Sequence, residues 1–324
     1  MSVRLADVAA ACGVDRSTAS RALRGDPVVS AETTARIKSE AARLGYRPNQ
    51  TARALRTGRT GNILLIAGSF RSTLEQEVAR NLSIQFAGNG TDLYLATHQY
   101  DNGIYCRLLD KAAQGGFDGV VIIPASRGLP DRYEEALYTG GLPIVFLDRY
   151  PAKSMIPVVT SSNAEAAAAL AGRMVERGAG RLICYVRDAN EVATARCQGC
   201  LKFAREHSIP CTQATSLEGI TPPRGNTPVG ILGIGQHDVW QALEVMRRLE
   251  PDTQLLGAVF DSWMGSTAPA SEVFIAIQDF DAMARQTVAL INHPPVAAGH
   301  AIQEVPILEI RTSNSRLPPP QDVH

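Results

Sequence analysis

The apolar positions of the first sixty residues repeat at helical spacing in three short runs. The runs are Leu5, Val8 and Ala9; Ala19, Ala22 and Leu23; and Ile37, Ala41 and Leu44. Gly13 suits a tight turn that ends the first helix, while Asp15 and Ser30 are suited to cap the second and third helices. The pattern therefore predicts a helix, a glycine turn, a second helix and a third helix that closes a small core. This is the helix-turn-helix layout, although pattern alone also permits any small helical bundle.

The second predicted helix has a polar face opposite its apolar face. That face is cationic and carries short hydroxyl side chains: Arg16, Ser17, Thr18, Ser20 and Arg21. Hydroxyl groups and guanidinium groups reach base edges and phosphates, and small side chains let a helix approach DNA closely. The face therefore fits the DNA major groove.

From Gly61 onward, continuous apolar runs such as "NILLIAGSF", "FDGVVIIPAS" and "EVFIAIQDF" alternate with helical stretches. Strands of this kind separated by helices predict parallel α/β sheets that are covered on both faces. The runs fall into two sets, divided near "IPVVTSSNAEAAAALAGRMVERG", which predicts two doubly wound lobes. Ligands bind at the carboxyl ends of the strands in such sheets, so a cleft between the lobes is the expected site.

Polar side chains at the ends of these predicted strands are the candidate ligand contacts. They are Ser69, Arg71, Asp148, Arg149, His237 and Asp261. A carboxylate beside a guanidinium group suits the hydroxyl groups of a sugar, whereas several converging arginines suit a sugar phosphate or a sugar acid. A salt bridge between the lobes or a solvated loop charge is the alternative for each residue, and it applies most strongly to Arg71 and His237.

The charge distribution separates the two parts of the chain. The net charge is zero, yet residues 1–60 carry eleven Lys and Arg against five Asp and Glu, and the remainder carries the matching acidic excess. A basic segment of this kind calls for a polyanionic partner. The chain has no apolar run long enough to span a membrane and no charged leader followed by an apolar run, so we expect a cytoplasmic protein with no membrane partner.

Catalytic and metal-binding motifs are missing from the sequence. There is no nucleophile elbow, no phosphate-binding P-loop and no dinucleotide fingerprint, so we predict neither an enzyme nor a cofactor. Cys197 and Cys200 form a C-x-x-C spacing, but no second pair with ligand spacing follows, so no metal site is expected. A redox-responsive regulator that uses these two thiols remains an alternative, as does a sugar-binding protein without a DNA role.

The segment from "RLADVAAACGVDRSTASRALRGDP" to "RPNQTARALRTGRTGNILLI" resembles the N-terminal signature of the lactose-repressor (LacI/GalR) family of transcriptional regulators. The resemblance implies that α-helical residues Arg16, Ser17 and Arg21 lie on a recognition helix. It also implies a hinge helix that forms on DNA and inserts Leu55 into the minor groove. The full set of implied DNA contacts is Arg4, Arg16, Ser17, Thr18, Ser20, Arg21, Asn49, Thr51, Ala52, Arg53, Leu55 and Arg56.

The rest of the chain resembles the family's core, which is related to periplasmic sugar-binding proteins. On this resemblance, Arg196 aligns with the arginine that holds ligand hydroxyl groups. The expected fold class is α/β, with a helix-turn-helix domain and hinge helix before a two-lobed core of doubly wound parallel sheets. The expected ranges are 1–48 for the headpiece and 49–60 for the hinge. We expect 61–160 and 281–298 in the N-terminal lobe, and 161–280 and 299–324 in the C-terminal lobe.

These features together predict a homodimeric transcriptional repressor. Its partners would be a pseudo-palindromic operator in double-stranded DNA and a small effector, namely a sugar, a sugar phosphate or a sugar acid. The C-terminal segment carries no leucine heptads, so a dimer and not a coiled-coil tetramer is expected.

Overall fold

The computed structural model describes residues 3–47, 54, 58–124, 133–221, 227–263, 270–295 and 301–314. It forms two compact units, residues 1–60 and residues 61–324. Within the described ranges, no helix is long and apolar enough to cross a bilayer. The predicted hinge helix, with Asn49, Thr51, Ala52, Arg53, Leu55 and Arg56, lies outside the described residues.

The described part of the first unit contains three helices: α1 (Leu5–Ala11), α2 (Arg16–Leu23) and α3 (Ala31–Arg43). Both predicted caps form, because the Asp15 carboxylate accepts from the backbone N–H groups of Ser17 and Thr18, and the Ser30 hydroxyl accepts from that of Thr33. Gly13 has a positive φ of 61° at the turn between α1 and α2. The apolar positions predicted from periodicity pack into one core, which is centred on Val8, Ala9, Ala19, Ala22, Ile37 and Ala41.

The residues described in the second unit form two six-stranded sheets. Its helices are α4 (Thr73–Gly88), α5 (Asn102–Lys111), α6 (Tyr133–Thr139), α7 (Asn163–Glu176), α8 (Glu191–Glu206), α9 (Gln236–Leu249) and α10 (Phe280–Asn292). Its strands are β1 (Asn62–Ala67), β2 (Asp92–Thr97), β3 (Gly119–Ile122), β4 (Ile144–Leu147), β5 (Val158–Ser161), β6 (Arg181–Tyr185), β7 (Cys211–Ala214), β8 (Val229–Gly233), β9 (Leu255–Phe260), β10 (Glu272–Gln278), β11 (Ile302–Val305) and β12 (Ile307–Asn314).

The strand order is β11-β5-β4-β3-β1-β2 in the N-terminal lobe and β12-β10-β9-β8-β6-β7 in the C-terminal lobe. All pairs are parallel except β10 with β12. Central strands such as β3, β4 and β9 are buried along their whole length, as expected for sheets covered on both faces. The fold predicted from the sequence, two parallel α/β lobes after a helix-turn-helix domain, is confirmed.

One part of the predicted lobe division is wrong. Residues 299–305 were assigned to the C-terminal lobe, but β11 pairs in parallel with β5 and thus belongs to the N-terminal sheet. The chain then passes Pro306 and adds β12 to the other sheet. Because β11 and β12 are separated by a single residue, no composition change marks this last crossing between the lobes.

Candidate functional site

The polar face of α2 is presented as the sequence predicted. Arg16, Ser17 and Arg21 are exposed, whereas Thr18 and Ser20 are half-buried. Arg4 is exposed immediately before α1, and its backbone N–H donates to Asp7 at 2.8 Å. The first unit therefore brings the predicted headpiece contacts to solvent, with guanidinium groups and hydroxyl groups on one helix.

Asp15 fixes the hydroxyl groups at the start of α2. The Ser17 and Thr18 hydroxyls both donate to its carboxylate, the latter at 2.6 Å. These hydrogen bonds hold the pKa of Asp15 well below its usual range. Because each hydroxyl proton points to Asp15, each oxygen offers its lone pairs as an acceptor. Arg24 was not predicted as a contact, but it donates to the Ser20 hydroxyl at 2.8 Å.

In the second unit, Arg196 is anchored in the C-terminal lobe by three contacts. Its Nε donates to Asn163 Oδ1 at 2.7 Å and its Nη1 donates to the Ile234 carbonyl at 3.0 Å. Its guanidinium carbon lies 3.5 Å from the centroid of the Phe260 ring, which is a cation–π contact. Burial lowers the pKa of Arg196, and the negative charges of Asp148 and Asp261 oppose that shift.

The two predicted aspartates come from different lobes. Asp148 follows β4 and Asp261 follows β9, and both interact electrostatically with Arg196. Burial raises the pKa of both carboxyl groups, to about 6 for Asp261. Arg149 Nε lies 3.7 Å from Asp148 Oδ2. The structure thus brings Asp148, Arg149, Arg196 and Asp261 together at the ends of strands from both lobes.

Strained backbone marks the same edge of the sheets. Among the described residues, six that are not glycine have positive φ, and five of them lie one to three residues after a strand: Phe70, Gln99, Tyr100, Asp148 and Asp261. Such conformations cost about 1–3 kcal/mol each and cluster at functional sites, where packing holds side chains in required directions. The strain therefore supports the strand ends as the ligand-binding region.

The other predicted ligand contacts are less enclosed. Ser69 is half-buried after β1, Arg71 is exposed, and His237 is exposed in the first turn of α9. Thr73 in the N-terminal lobe donates to the Ser262 hydroxyl in the C-terminal lobe at 2.9 Å. The structure does not join Arg71 or His237 to the central charged group.

Sequence reasoning missed four polar residues around this group. Asn163 and Gln278 lie where the chain crosses between the lobes: Asn163 accepts from Arg196, and Gln278 Nε2 donates to Asp261 Oδ1 at 2.6 Å. His98 and Glu75 lie near the ends of β2 and β1, and each is 1% exposed. Polar residues are common at the ends of strands and at the starts of helices, where they act as caps. The sequence alone therefore does not distinguish a ligand contact at such a position from a cap.

The cysteines of the C-x-x-C spacing lie in the core of the C-terminal lobe. Cys197 and Cys200 on α8 pack with Cys184 of β6, and Cys211 of β7 packs against the same cluster. All are free thiols. Hydrogen bonds to Cys197 and Cys200, together with burial, raise the pKa of Cys184. In the described part of the chain, no group of three or more His, Cys, Asp or Glu residues is arranged to hold a metal ion.

Comparison with known proteins identifies a family for the first unit. Residues 4–49 match the model described as "Bacterial regulatory proteins, lacI family". Residues 4–49 are therefore a lacI-family segment. The chain is 27% identical over 230 residues to the maltose regulon regulatory protein MalI of Escherichia coli (strain K12), covering 68% of this chain and 67% of MalI. It is 30% identical over 165 residues to the HTH-type transcriptional regulator PtxS of Pseudomonas plecoglossicida, covering 51% of this chain and 48% of PtxS. The chain thus spans two thirds of MalI and about half of PtxS.

Solved structures show the same fold. The lac repressor dimer bound to operator and the anti-inducer ONPF gives a TM-score of 0.72 at 18% identity, covering 97% of this chain and 99% of that chain. The transcriptional regulator CelR in its complex with cellobiose gives a TM-score of 0.60 at 19% identity, covering 96% of this chain and 98% of that chain. At these identities the likeness concerns the fold, and the ligands of those proteins are not thereby ligands of this one.

Proposed function

We propose that this protein is a homodimeric transcriptional repressor of the lacI family that reads a pseudo-palindromic operator and responds to a small sugar-like effector. The observation that carries the proposal is the cationic, hydroxyl-bearing face of α2, which lies in the unit that matches the lacI family. The second unit adds a group of charged side chains from two lobes. A sugar-binding protein without a DNA role leaves this face unexplained.

The chemistry of α2 suits direct readout of base edges. Arg16 and Arg21 donate to guanine acceptors or to phosphates, while the Ser17 and Thr18 oxygens, whose protons are held by Asp15, accept from cytosine or adenine amino groups. In a homodimer the two recognition helices enter successive major grooves, so the operator mirrors the protein's two-fold symmetry. The hinge residues, Leu55 among them, would then fold against the minor groove.

The effector is proposed to bind at the strand ends where Asp148, Arg149, Arg196 and Asp261 converge. A polyol suits this group because carboxylates accept hydroxyl protons and the guanidinium groups donate to the neighbouring oxygens. Ser69 follows β1 by two residues and so lies near the same strand ends. Arg71 and His237 would contact the effector only if the lobes move. Binding shifts the angle between the lobes, which changes the spacing of the paired hinge segments and lowers operator affinity.

A redox-responsive repressor is the less favoured mechanism. Cys197 is 3% exposed and Cys200 is 0% exposed, and buried thiols in an apolar cluster are poorly accessible to oxidants. The packing of Cys184, Cys197 and Cys200 in one core cluster is explained by their size and apolarity.

The dimer is proposed to form through the edge of the N-terminal sheet. β2 is the outer strand, Leu95 on it is 55% exposed, and Ile84 on the adjacent helix α4 is 58% exposed. Two large exposed aliphatic side chains beside an open strand edge fit a self-complementary contact with a second copy.

Leu95→Arg is expected to shift the protein from dimer to monomer, because it places a charge in the centre of that contact. Analytical ultracentrifugation over a concentration series measures the shift, and we expect at least a tenfold weaker dimer. Leu308→Arg, at a residue that is 62% exposed on β12 of the other lobe, is the matched control. An unchanged dimer in Leu95→Arg would place the interface elsewhere.

The proposed function is tested by selecting binding sites for the purified full chain from random duplex DNA. We expect enrichment of a sequence with two-fold symmetry. Titration of sugars, sugar phosphates and sugar acids, followed by thermal unfolding, then identifies the effector, because a ligand that binds only the folded state raises its stability. Failure to enrich any symmetric site would contradict the repressor proposal.

A further inference from the structure

Glu75 is a buried carboxylate at the proposed effector site that sequence reasoning did not assign. It lies in the first turn of α4 and is 1% exposed. Its Oε1 accepts the backbone N–H of Gly68, which directly follows β1, at 2.9 Å. A Cβ at Gly68 would lie 2.7 Å from that oxygen, so the glycine leaves the space that the carboxylate occupies. Glu75 is therefore held at the carboxyl end of β1.

The sequence "STLE" from Ser72 to Glu75 has the spacing of a capping box, and capping is the simplest structural role for Glu75. Half of that box is present, since the Ser72 hydroxyl accepts from the backbone N–H of Glu75 at 3.2 Å. A complete box would have the glutamate accept from the Ser72 backbone N–H. Instead the Glu75 carboxylate turns to Gly68, so capping does not explain where its side chain lies.

Two buried carboxylate oxygens at this edge have no hydrogen-bond partner in the described part of the chain. They are Glu75 Oε2 and Asp148 Oδ1. The two carboxylates interact electrostatically, since the negative charge of Glu75 contributes to raising the pKa of Asp148. A buried acceptor without a donor costs about 1–3 kcal/mol, and more when it is charged. Two unsatisfied acceptors on carboxylates that interact electrostatically are suited to a ligand that brings hydrogen-bond donors.

The nearby cations do not neutralise Glu75. Arg149 lies against Asp148, and Arg196 lies among Asn163, Ile234 and Phe260 with its charge facing Asp148 and Asp261. Within the described ranges, Glu75 forms no ion pair with either of these arginines.

His98 is not a compensating charge either. Its Nδ1 accepts from the Tyr100 backbone N–H at 3.0 Å, and its Nε2 lies 3.1 Å from the Ile123 carbonyl oxygen. Burial lowers the pKa of His98, which favours the neutral ring. Among the described residues of this group, the three carboxylates Glu75, Asp148 and Asp261 are accompanied by two guanidinium groups and a neutral imidazole, which is an acidic excess.

We propose that Glu75 determines effector specificity and that the effector is a polyhydroxyl compound carrying a protonated amine, which donates to Glu75 Oε2 and Asp148 Oδ1. The assignment rests on the proposed effector site. An ammonium group supplies several donors and a positive charge, so it satisfies both orphaned oxygens and offsets the acidic excess. A phosphate or carboxylate supplies only acceptors there and is repelled.

The test uses full-length protein and matched sugars that differ at one group: glucosamine with glucose, N-acetylglucosamine and glucose 6-phosphate, and the corresponding galactose and mannose sets. Thermal unfolding and isothermal titration calorimetry measure binding. We expect at least one amino sugar to bind about tenfold or more tightly than its hydroxyl and N-acetyl partners, with no binding of the phosphates. Equal or tighter binding of the uncharged or anionic partners overturns the proposal, as does the absence of binding by every amino sugar.

Glu75→Gln tests the residue itself, since the amide keeps an oxygen for Gly68 and removes the charge. We expect the preference for the amino sugar to fall to within about twofold, while the ligand-free variant melts at or above the wild-type temperature because a buried unpaired charge is gone. Glu77→Gln on the same helix, where Glu77 pairs with Arg80 at 2.8 Å on the surface, is the control and should keep the preference. A retained preference in Glu75→Gln also overturns the proposal.

Operator binding separates the two levels of failure. If a symmetric operator is bound and no amino sugar is preferred, only the assignment of Glu75 is wrong. If no operator is bound, the proposed function itself fails.

Discussion

Arg196→Ala is expected to lower the free energy of unfolding of the second unit by about 3–5 kcal/mol, because removing one member of a buried charged group leaves the others uncompensated. Asn163 Oδ1 and the Ile234 carbonyl each lose a charged donor, and the Phe260 ring loses the guanidinium group above it. Asp148 and Asp261 also lose the positive charge that they share. Urea unfolding followed by far-ultraviolet circular dichroism measures the change.

The same substitution is expected to abolish the effector response while operator affinity survives. The predicted DNA contacts Arg4 and those on α2 belong to the separate first unit, whose core contains no residue of the second. Effector titration of the operator complex measures the response. Arg205→Ala, at an exposed position of α8, is the control and should change stability by less than about 0.5 kcal/mol. A variant Arg196→Ala that keeps both its stability and its response would remove Arg196 from the site.

Arg196→Lys sharpens this experiment. A lysine keeps the charge but cannot donate to two acceptors from one planar group while lying flat on Phe260. We therefore expect it to recover part of the stability and little of the effector response. Full recovery of the response would indicate that only the charge matters.

Arg16→Ala is expected to weaken operator binding by about 1–3 kcal/mol, the range for loss of one bidentate contact to a base, which is about a 5- to 150-fold lower affinity. Arg16 is the first residue of α2 and is exposed, so its removal should leave the headpiece core intact. Fluorescence anisotropy with the selected operator and with a scrambled duplex, both at one salt concentration, separates base readout from phosphate attraction.

Arg43→Ala is the matched control for Arg16→Ala. Arg43 is also exposed, but it pairs with Glu40 at 2.6 Å at the end of α3. We expect it to change both affinities equally and only slightly. If Arg16→Ala weakened the operator and the scrambled duplex by the same factor, Arg16 would contact phosphate and not a base.

The candidate site was only partly predictable from the sequence. Asp148, Arg149, Arg196 and Asp261 come together as expected, because the ends of parallel strands meet at one edge of each sheet. Arg71 and His237 satisfied the same criterion, yet they remain exposed and apart from that group. Position after a strand identifies which edge a residue occupies, but not the direction of its side chain.

The residues that the sequence did not reveal have ambiguous local patterns. Glu75 matches a helix cap, Asn163 begins a helix, and Gln278 ends a strand. Each acquires its role from a partner distant in sequence, such as Arg196 for Asn163 and Asp261 for Gln278. The placement of β11 was missed for the same reason, because its partner β5 lies about 140 residues earlier in the chain.

The sequence by itself determined the three-helix headpiece, the exposed face of α2 and the two α/β lobes. These features follow from spacing within a few residues: helical periodicity, capping side chains and continuous apolar strands. The tertiary structure alone decided which lobe receives β11, which polar residues converge, and that Glu75 is buried with an unsatisfied oxygen. Those outcomes depend on contacts between segments far apart in the chain. Packing and desolvation at these contacts, and not the local sequence, set the energy of each side chain.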